Sequence, residues 1–210
     1  MPYIPGRRFS VNYSVDDIDC SDYEGVIDKF KDRIKGWYIE HAKIFTDPHH
    51  QKFTNHGGFP AVAIACILID LLSMYEAGSS GSSFQLFTKY LKNKIPEFRQ
   101  SLTKSYPGFR KRNINNIADA FYEWFRCGIM HNAKINTHGS ISATSVLISW
   151  DNSSEVLTVD PHLLIPKIEE IFDGYIQELK DGTNQRLVDN FKTKFLLDFR
   201  DSINPTKSQF

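Results

Sequence analysis

Residues 113–133 have the sequence NINNIADAFYEWFRCGIMHNA, in which large apolar side chains recur every four positions. The recurring side chains are those of Ile117, Phe121, Phe125 and Ile129. This spacing predicts a helix with one apolar face. Arg126 and His131 lie toward the end of the predicted helix. Because an arginine in apolar surroundings is costly unless it is paired or serves a binding surface, the two residues mark a candidate functional site.

Arg126 and His131 would not share a face of a regular α-helix, because residues five positions apart are rotated by roughly 140°. Either the helix ends or bends near Gly128, or a second copy of the chain completes the site about a two-fold axis. We expect the second arrangement, since Gly128 has no side chain where another backbone could approach. On a neighbouring stripe, Glu123, Cys127 and His131 occupy positions i, i+4 and i+8 and line up.

The composition is that of one globular domain without a charge bias. The chain has 210 residues, is 41% hydrophobic and carries 25 basic and 25 acidic residues. Since the net charge is zero, any binding of nucleic acid depends on a local patch. The best candidate for such a patch consists of Lys104, Arg110, Lys111 and Arg112. The alternative interpretation of these residues is a solvated loop.

The remaining patterns predict a mainly α protein, an up-and-down bundle of five to six helices. One small β-hairpin, formed by the β-rich runs at 145–150 and 155–159, is expected between the helix that carries Arg126 and the next helix. The expected divisions are an irregular segment at 1–20, the bundle at 21–180, an appended helix at 183–201 and a frayed tail at 202–210. Further helices are predicted at 22–44, 60–75, 84–95 and 160–181, with a short one over 98–106.

The most apolar segment, residues 60–75, predicts the buried central helix of the bundle. It is too short to span a membrane, so no membrane partner is expected. Asp70 interrupts this segment and requires a partner if it is buried. Either Asp70 has a purely structural partner, or its partner is Arg126 or another group of the candidate site.

The cysteines and histidines do not form a recognisable metal or disulfide pattern. Cys20, Cys66 and Cys127 are odd in number and have no paired spacing, and no apolar leader opens the chain. We therefore expect a reducing, cytoplasmic location. His49, His50 and His56 lie in one loop with loose spacing and no cysteine, so neither a metal site nor a cofactor is expected.

The order Phe-Arg-Cys-Gly-Ile-Met-His at 125–131 on a late helix, followed by a hairpin and another helix, resembles the HEPN superfamily of helical domains. The family signature is an arginine and a histidine separated by four to six residues, and Arg126 and His131 are separated by four. Such a spacing arises about once by chance in a chain like this, so the order of elements carries the resemblance as much as the motif does. It covers about residues 21–179.

The resemblance implies a metal-independent endoribonuclease that acts as a homodimer, in toxin–antitoxin, phage-defence or RNA-processing systems. His131 would act as the general base on the 2′-hydroxyl of RNA, and Arg126 would stabilise charge on the phosphorane, leaving a 2′,3′-cyclic phosphate. The supporting residues are expected to be Cys127, Glu123, Asn132 and Asp70. An antitoxin or another protein is a further expected class of partner.

Two alternatives stay open. A non-catalytic HEPN-like module would bind RNA, a nucleotide or a partner protein, with Arg126 serving only as an anion contact. Family members commonly have a polar residue after the arginine, so Cys127 favours this alternative, as does the zero net charge. In the other alternative, His131 activates Cys127 as a nucleophile. Such cysteines usually lie at the N-terminus of a helix, however, whereas Cys127 lies near the far end.

Overall fold

The computed structural model describes residues 3–49, 57–79, 81, 83–108 and 112–210, and it is mainly α-helical with two small sheets. The helices are α1 (Tyr23–Ile34), α2 (Glu40–Thr46), α3 (Gly58–Ala77), α4 (Phe84–Lys94), α5 (Ile117–Ala120), α6 (Gly128–Asn132), α7 (Pro161–Asp181) and α8 (Gln185–Phe199). The strands are β1 (Ser101–Pro107), β2 (Asn113–Asn116), β3 (Gly139–Ile141), β4 (Ile148–Asp151) and β5 (Val156–Val159). π-helical turns at Lys35–Ile39 and Phe121–Cys127 join α1 to α2 and α5 to α6.

Helix α3 is the predicted central helix, and it packs against α2, α4, α7 and α8. It ends where Gly78 takes a left-handed conformation, with φ at 63°. The helix has 20 residues, so the predicted bounds were too short, and by length and composition alone it could cross a membrane. In the structure, 56% of the most apolar 18-residue stretch of this helix is buried within the protein.

Aromatic rings from α1, α3 and α8 fill one side of the core. The ring centroid of Phe30 lies 4.6 Å from that of Tyr75 and 5.4 Å from that of Phe191. Helix α8 therefore shares the core of the bundle. The tail is not frayed as predicted, because Ile203 is 1% exposed and the ring of Phe210 packs 6.0 Å from that of Phe195.

The predicted short helix at 98–106 is wrong from Ser101 onward, where β1 forms an antiparallel hairpin with β2. Leu102 and Tyr106 are both buried. Their spacing of four is close to one helical turn and is also twice the strand period, so it does not distinguish the two structures. The strand β2 also delays the start of the next helix to Ile117, where the side chain of Asn116 accepts a hydrogen bond from the Asp119 amide at 3.0 Å.

The predicted hairpin between the two late helices is confirmed as β4 and β5, which pair antiparallel. The short strand β3 pairs parallel with β5 and completes a three-stranded sheet that the sequence did not predict. Asp160 then begins α7, since its carboxylate accepts from the His162 amide at 2.9 Å. The sheet thus connects the end of α6 to the start of α7.

Candidate functional site

The helix that carries the candidate site runs continuously over residues 117–132, which we call the motif helix. Its middle turn, Phe121–Cys127, is π-helical, and α6 resumes at Gly128. π-helical turns of this kind occur frequently at functional sites. The buried rings of Phe121, Trp124 and Phe125 hold one face of the helix in the core. The other side leaves Arg126 half-buried and His131 exposed.

Arg126 connects the motif helix to α3 and to His131. Its Nε donates a hydrogen bond to Oδ2 of Asp70 over 2.8 Å, and its Nη1 lies 3.4 Å from Nε2 of His131. The predicted partnership of Asp70 with Arg126 is therefore confirmed. The arginine side chain is 16% exposed and that of the aspartate 11%. The pair is thus largely screened from water.

A second copy of the chain is not needed to bring Arg126 and His131 together, contrary to our expectation. The helix changes from π to α geometry at Gly128 and ends at Ala133, which has φ at 51°. A Cβ on Gly128 would lie 2.5 Å from the Lys134 carbonyl oxygen of the same chain. The close backbone at Gly128 is therefore the chain's own return segment, while a homodimer stays a prediction.

The electrostatic surroundings keep Arg126 charged. Burial opposes the charged form, but the Asp70 carboxylate outweighs it and raises the pKa of Arg126 above its ordinary value. The Tyr122 ring lies beneath the guanidinium, with the arginine Cζ 5.4 Å from the ring centroid. These contacts fix a permanent cation beside an exposed imidazole, which is an arrangement suited to holding a phosphate.

The predicted stripe of Glu123, Cys127 and His131 lies along one groove with a volume of about 890 Å³. The groove runs between the motif helix and the ends of β1 and β2, and the exposed Asn132 also lines it. Glu123 is buried, and its Oε1 lies 3.9 Å from Nη1 of Arg112. The groove is thus lined by the supporting residues Glu123, Cys127 and Asn132. Asp70 does not line it and instead accepts a hydrogen bond from Arg126.

Cys127 does not have the environment of an activated nucleophile. Burial raises the pKa of its thiol, and the nearby Glu123 carboxylate raises it further. A thiol with a raised pKa is largely protonated at neutral pH, whereas nucleophilic attack requires the thiolate. The structure therefore disfavours the alternative in which His131 activates Cys127.

The candidate basic patch is only partly assembled at the site. Arg112 lines the groove and stacks on Phe84, with 4.5 Å between its Cζ and the ring centroid. Lys104 instead forms an ion pair with Glu155. Arg110 and Lys111 lie outside the described residues.

Two residues of the site were missed by sequence reasoning. Tyr122 precedes Arg126 by four positions, so its place beneath the guanidinium followed from helical spacing and could have been found. Lys134 lines the groove because the chain reverses after Ala133. No periodic pattern extends to that position, so it carried no signal.

Of the three loop histidines, His49 lies among the described residues. His50 and His56 lie outside the described residues. Within the part of the chain that the structure describes, no group of three or more His, Cys, Asp or Glu side chains is placed to hold a metal ion.

Comparisons of the chain with known proteins gave no relatives. No protein-family model, no curated protein and no solved structure matches it. The observations that bear on function are the distances, burial and charges around Arg126 and His131.

Proposed function

We propose that the protein is a cytoplasmic, metal-independent endoribonuclease with a HEPN-type up-and-down bundle, which cleaves RNA to leave a 2′,3′-cyclic phosphate. The observation that carries this proposal is the distance of 3.4 Å between Nη1 of Arg126 and Nε2 of His131. A single phosphate group placed over this pair would contact a permanent cation and a titratable imidazole at once. This combination can supply both a general base and charge stabilisation for phosphoryl chemistry on RNA.

The contact between Arg126 and His131 restricts the role that Nε2 can take in a hydrogen bond. A guanidinium has only donors, so the contact with His131 is a hydrogen bond only when Nε2 of the imidazole accepts. The histidine is then neutral, with its proton on Nδ1. Nη1 shares the Nε2 lone pair in this state, so the lone pair becomes available to a hydroxyl proton once a substrate phosphate takes over Nη1.

The mechanism uses the nucleophile that RNA supplies. His131 takes the proton of the 2′-hydroxyl, the 2′-oxygen forms a bond to phosphorus, and the bond from phosphorus to the 5′-oxygen breaks. Arg126 stabilises the negative charge that grows on the phosphorane oxygens. The leaving 5′-oxygen needs a proton, and we propose that the histidine of a second copy supplies it in a homodimer.

Asp70 serves as a positioning residue in this scheme. Its carboxylate accepts a hydrogen bond from Nε of Arg126, and Nη1 of the same guanidinium lies 3.4 Å from Nε2 of His131. A guanidinium fixed in this way loses less side-chain entropy when it binds phosphate. We therefore expect Asp70 to influence the cleavage rate without contacting RNA.

The direct test is incubation of 5′-labelled single-stranded RNA with the purified protein in the presence of EDTA. We expect cleavage with 2′,3′-cyclic phosphate ends, and loss of cleavage by at least about a hundredfold in the Arg126→Ala, His131→Ala double variant. His162→Ala removes an exposed histidine on α7 and is the matched control, which should cleave normally. Undiminished cleavage by the double variant would remove the proposal.

The second candidate is a non-catalytic module that binds RNA, a nucleotide or a protein such as an antitoxin. The observation in its favour is that Arg126 is only 16% exposed and already paired with Asp70, so its contact with substrate is limited in area. Binding of the same RNA without turnover, lost on Arg126→Ala, would support the module over the enzyme.

A further inference from the structure

The proposed mechanism assigns no function to the groove beside His131. Its volume of about 890 Å³ lies within the range of small-ligand sites. Part of its lining is apolar and is contributed by Ile114, Ile135 and Trp124. An apolar lining suits a nucleobase, because unpaired bases of RNA are bound by stacking and apolar contact.

The lining of the groove also includes an acceptor and a donor that lie close to each other. Glu123 supplies a carboxylate whose side chain is 6% exposed, and Arg112 supplies a guanidinium whose Nη1 lies 3.9 Å from Glu123 Oε1. That separation exceeds the length of a hydrogen bond. Nη1 of Arg112 is also buried and has no hydrogen-bond partner among the described residues. A donor in this state favours a ligand that brings an acceptor to it.

We propose that this groove is the subsite for one unpaired guanine next to the phosphate that is cleaved, an inference that rests on the proposed ribonuclease function. Glu123 accepts hydrogen bonds from the base, and Arg112 donates one to it. His131 lines the same groove, so a base bound there places its own backbone within reach of that imidazole.

Guanine matches the pair better than the other bases do. Its Watson–Crick edge carries two neighbouring donors, N1–H and the N2 amino group, and the O6 acceptor lies beside them. A carboxylate accepts only, and a guanidinium donates only, so this order of groups is complementary to Glu123 and Arg112. Adenine and cytosine place an acceptor next to their amino group, and uracil places carbonyls on both sides of N3–H. Each would therefore set an acceptor against the carboxylate.

Lys134 supplies charge at the rim of the groove. It is exposed and follows directly after the end of the motif helix. Glu123 would repel a polyanion, so a cation at the rim offsets that repulsion for the flanking phosphate. The site thus separates recognition of the base at its buried end from neutralisation of the backbone at its surface.

The test uses four oligouridine substrates, three of which carry a single guanosine, adenosine or cytidine at the centre. We expect the wild-type protein to cut beside guanosine at least about tenfold faster than at the other positions. Glu123→Gln keeps the shape of the side chain but adds a donor, so this preference should fall to within about twofold. Glu170→Gln, whose side chain is 70% exposed, is the matched control and should keep the preference.

Binding to the His131→Ala variant separates this inference from the proposed function. Fluorescence anisotropy with the same four oligonucleotides should show tighter binding of the guanosine-containing one, and Glu123→Gln in that background should abolish the difference. Cleavage at all four centres at equal rates would overturn the guanine subsite while leaving the ribonuclease in place. Guanine-selective binding by the wild-type protein, without cleavage of any of the four oligonucleotides, would support the subsite and overturn the ribonuclease.

Discussion

Helix α3 meets two different environments, an aromatic core around Tyr75 and a polar cluster around Asp70. The Tyr75 ring lies 4.6 Å from that of Phe30 and 5.7 Å from that of Phe191, so this region is held by ring packing and burial. Asp70 instead accepts a hydrogen bond from Arg126 of the motif helix. The aromatic region depends on filled volume and tolerates apolar substitutions that conserve it, whereas the polar region depends on the specific pairing of Asp70 with Arg126.

The largest expected effect lies in the aromatic core. Phe191→Ala should lower the free energy of unfolding by about 3–5 kcal/mol, because it removes a fully buried ring and leaves a cavity among Phe30, Tyr75 and Phe195. Urea denaturation measures the loss. Leu197→Ala on the same helix is the control, since its side chain is 57% exposed and should change stability by less than about 0.5 kcal/mol.

A smaller but more specific effect is expected at the polar cluster. Asp70→Asn should lower the free energy of unfolding by about 3 kcal/mol, because it leaves the largely buried guanidinium without its carboxylate. The same urea denaturation measures it. Adding Arg126→Met should restore most of the loss, since an apolar side chain of similar length needs no charged partner.

The Asp70→Asn, Arg126→Met double variant separates stabilisation by the charge pair from stabilisation by packing. If Asp70→Asn alone were as stable as the wild-type protein, the pair would contribute nothing and the contrast along α3 would be wrong. If the second substitution failed to restore stability, the loss would come from packing and not from charge.

The contrast along α3 also explains which features the sequence could predict. The central helix followed from the most apolar segment of the chain, and the need of Asp70 for a partner followed from its being the single acidic residue in that segment. Both signals are local and need only one helix to be interpreted. Both signals depend on burial, which a high proportion of apolar residues in a segment indicates directly.

The features that were missed depend on contacts between distant segments. The strand at 101–107 was predicted as helix because Leu102 and Tyr106 fit both periods, and only pairing with β2 decides between them. The π-helical turn has no signature in the order of residues, so the distance between Arg126 and His131 could not be predicted. The return of the chain at Gly128 was likewise interpreted as a contact with a second copy.

The smallest expected effect concerns the two thiols beside the polar cluster. Cys127 is half-buried on the motif helix and Cys66 is fully buried on α3, and burial raises the pKa of both. Because only the thiolate reacts, iodoacetamide at pH 7.5 should modify Cys127 several-fold more slowly than a free thiol and Cys66 only after unfolding. Mass spectrometry of timed samples follows both sites.

The rate of modification of Cys127 should rise steadily as the pH increases above the ordinary cysteine pKa, since the raised pKa of this thiol delays formation of the thiolate. Rapid modification of Cys127 at neutral pH would show an activated thiol. It would favour the alternative in which Cys127 is the nucleophile over the mechanism that uses Arg126 and His131.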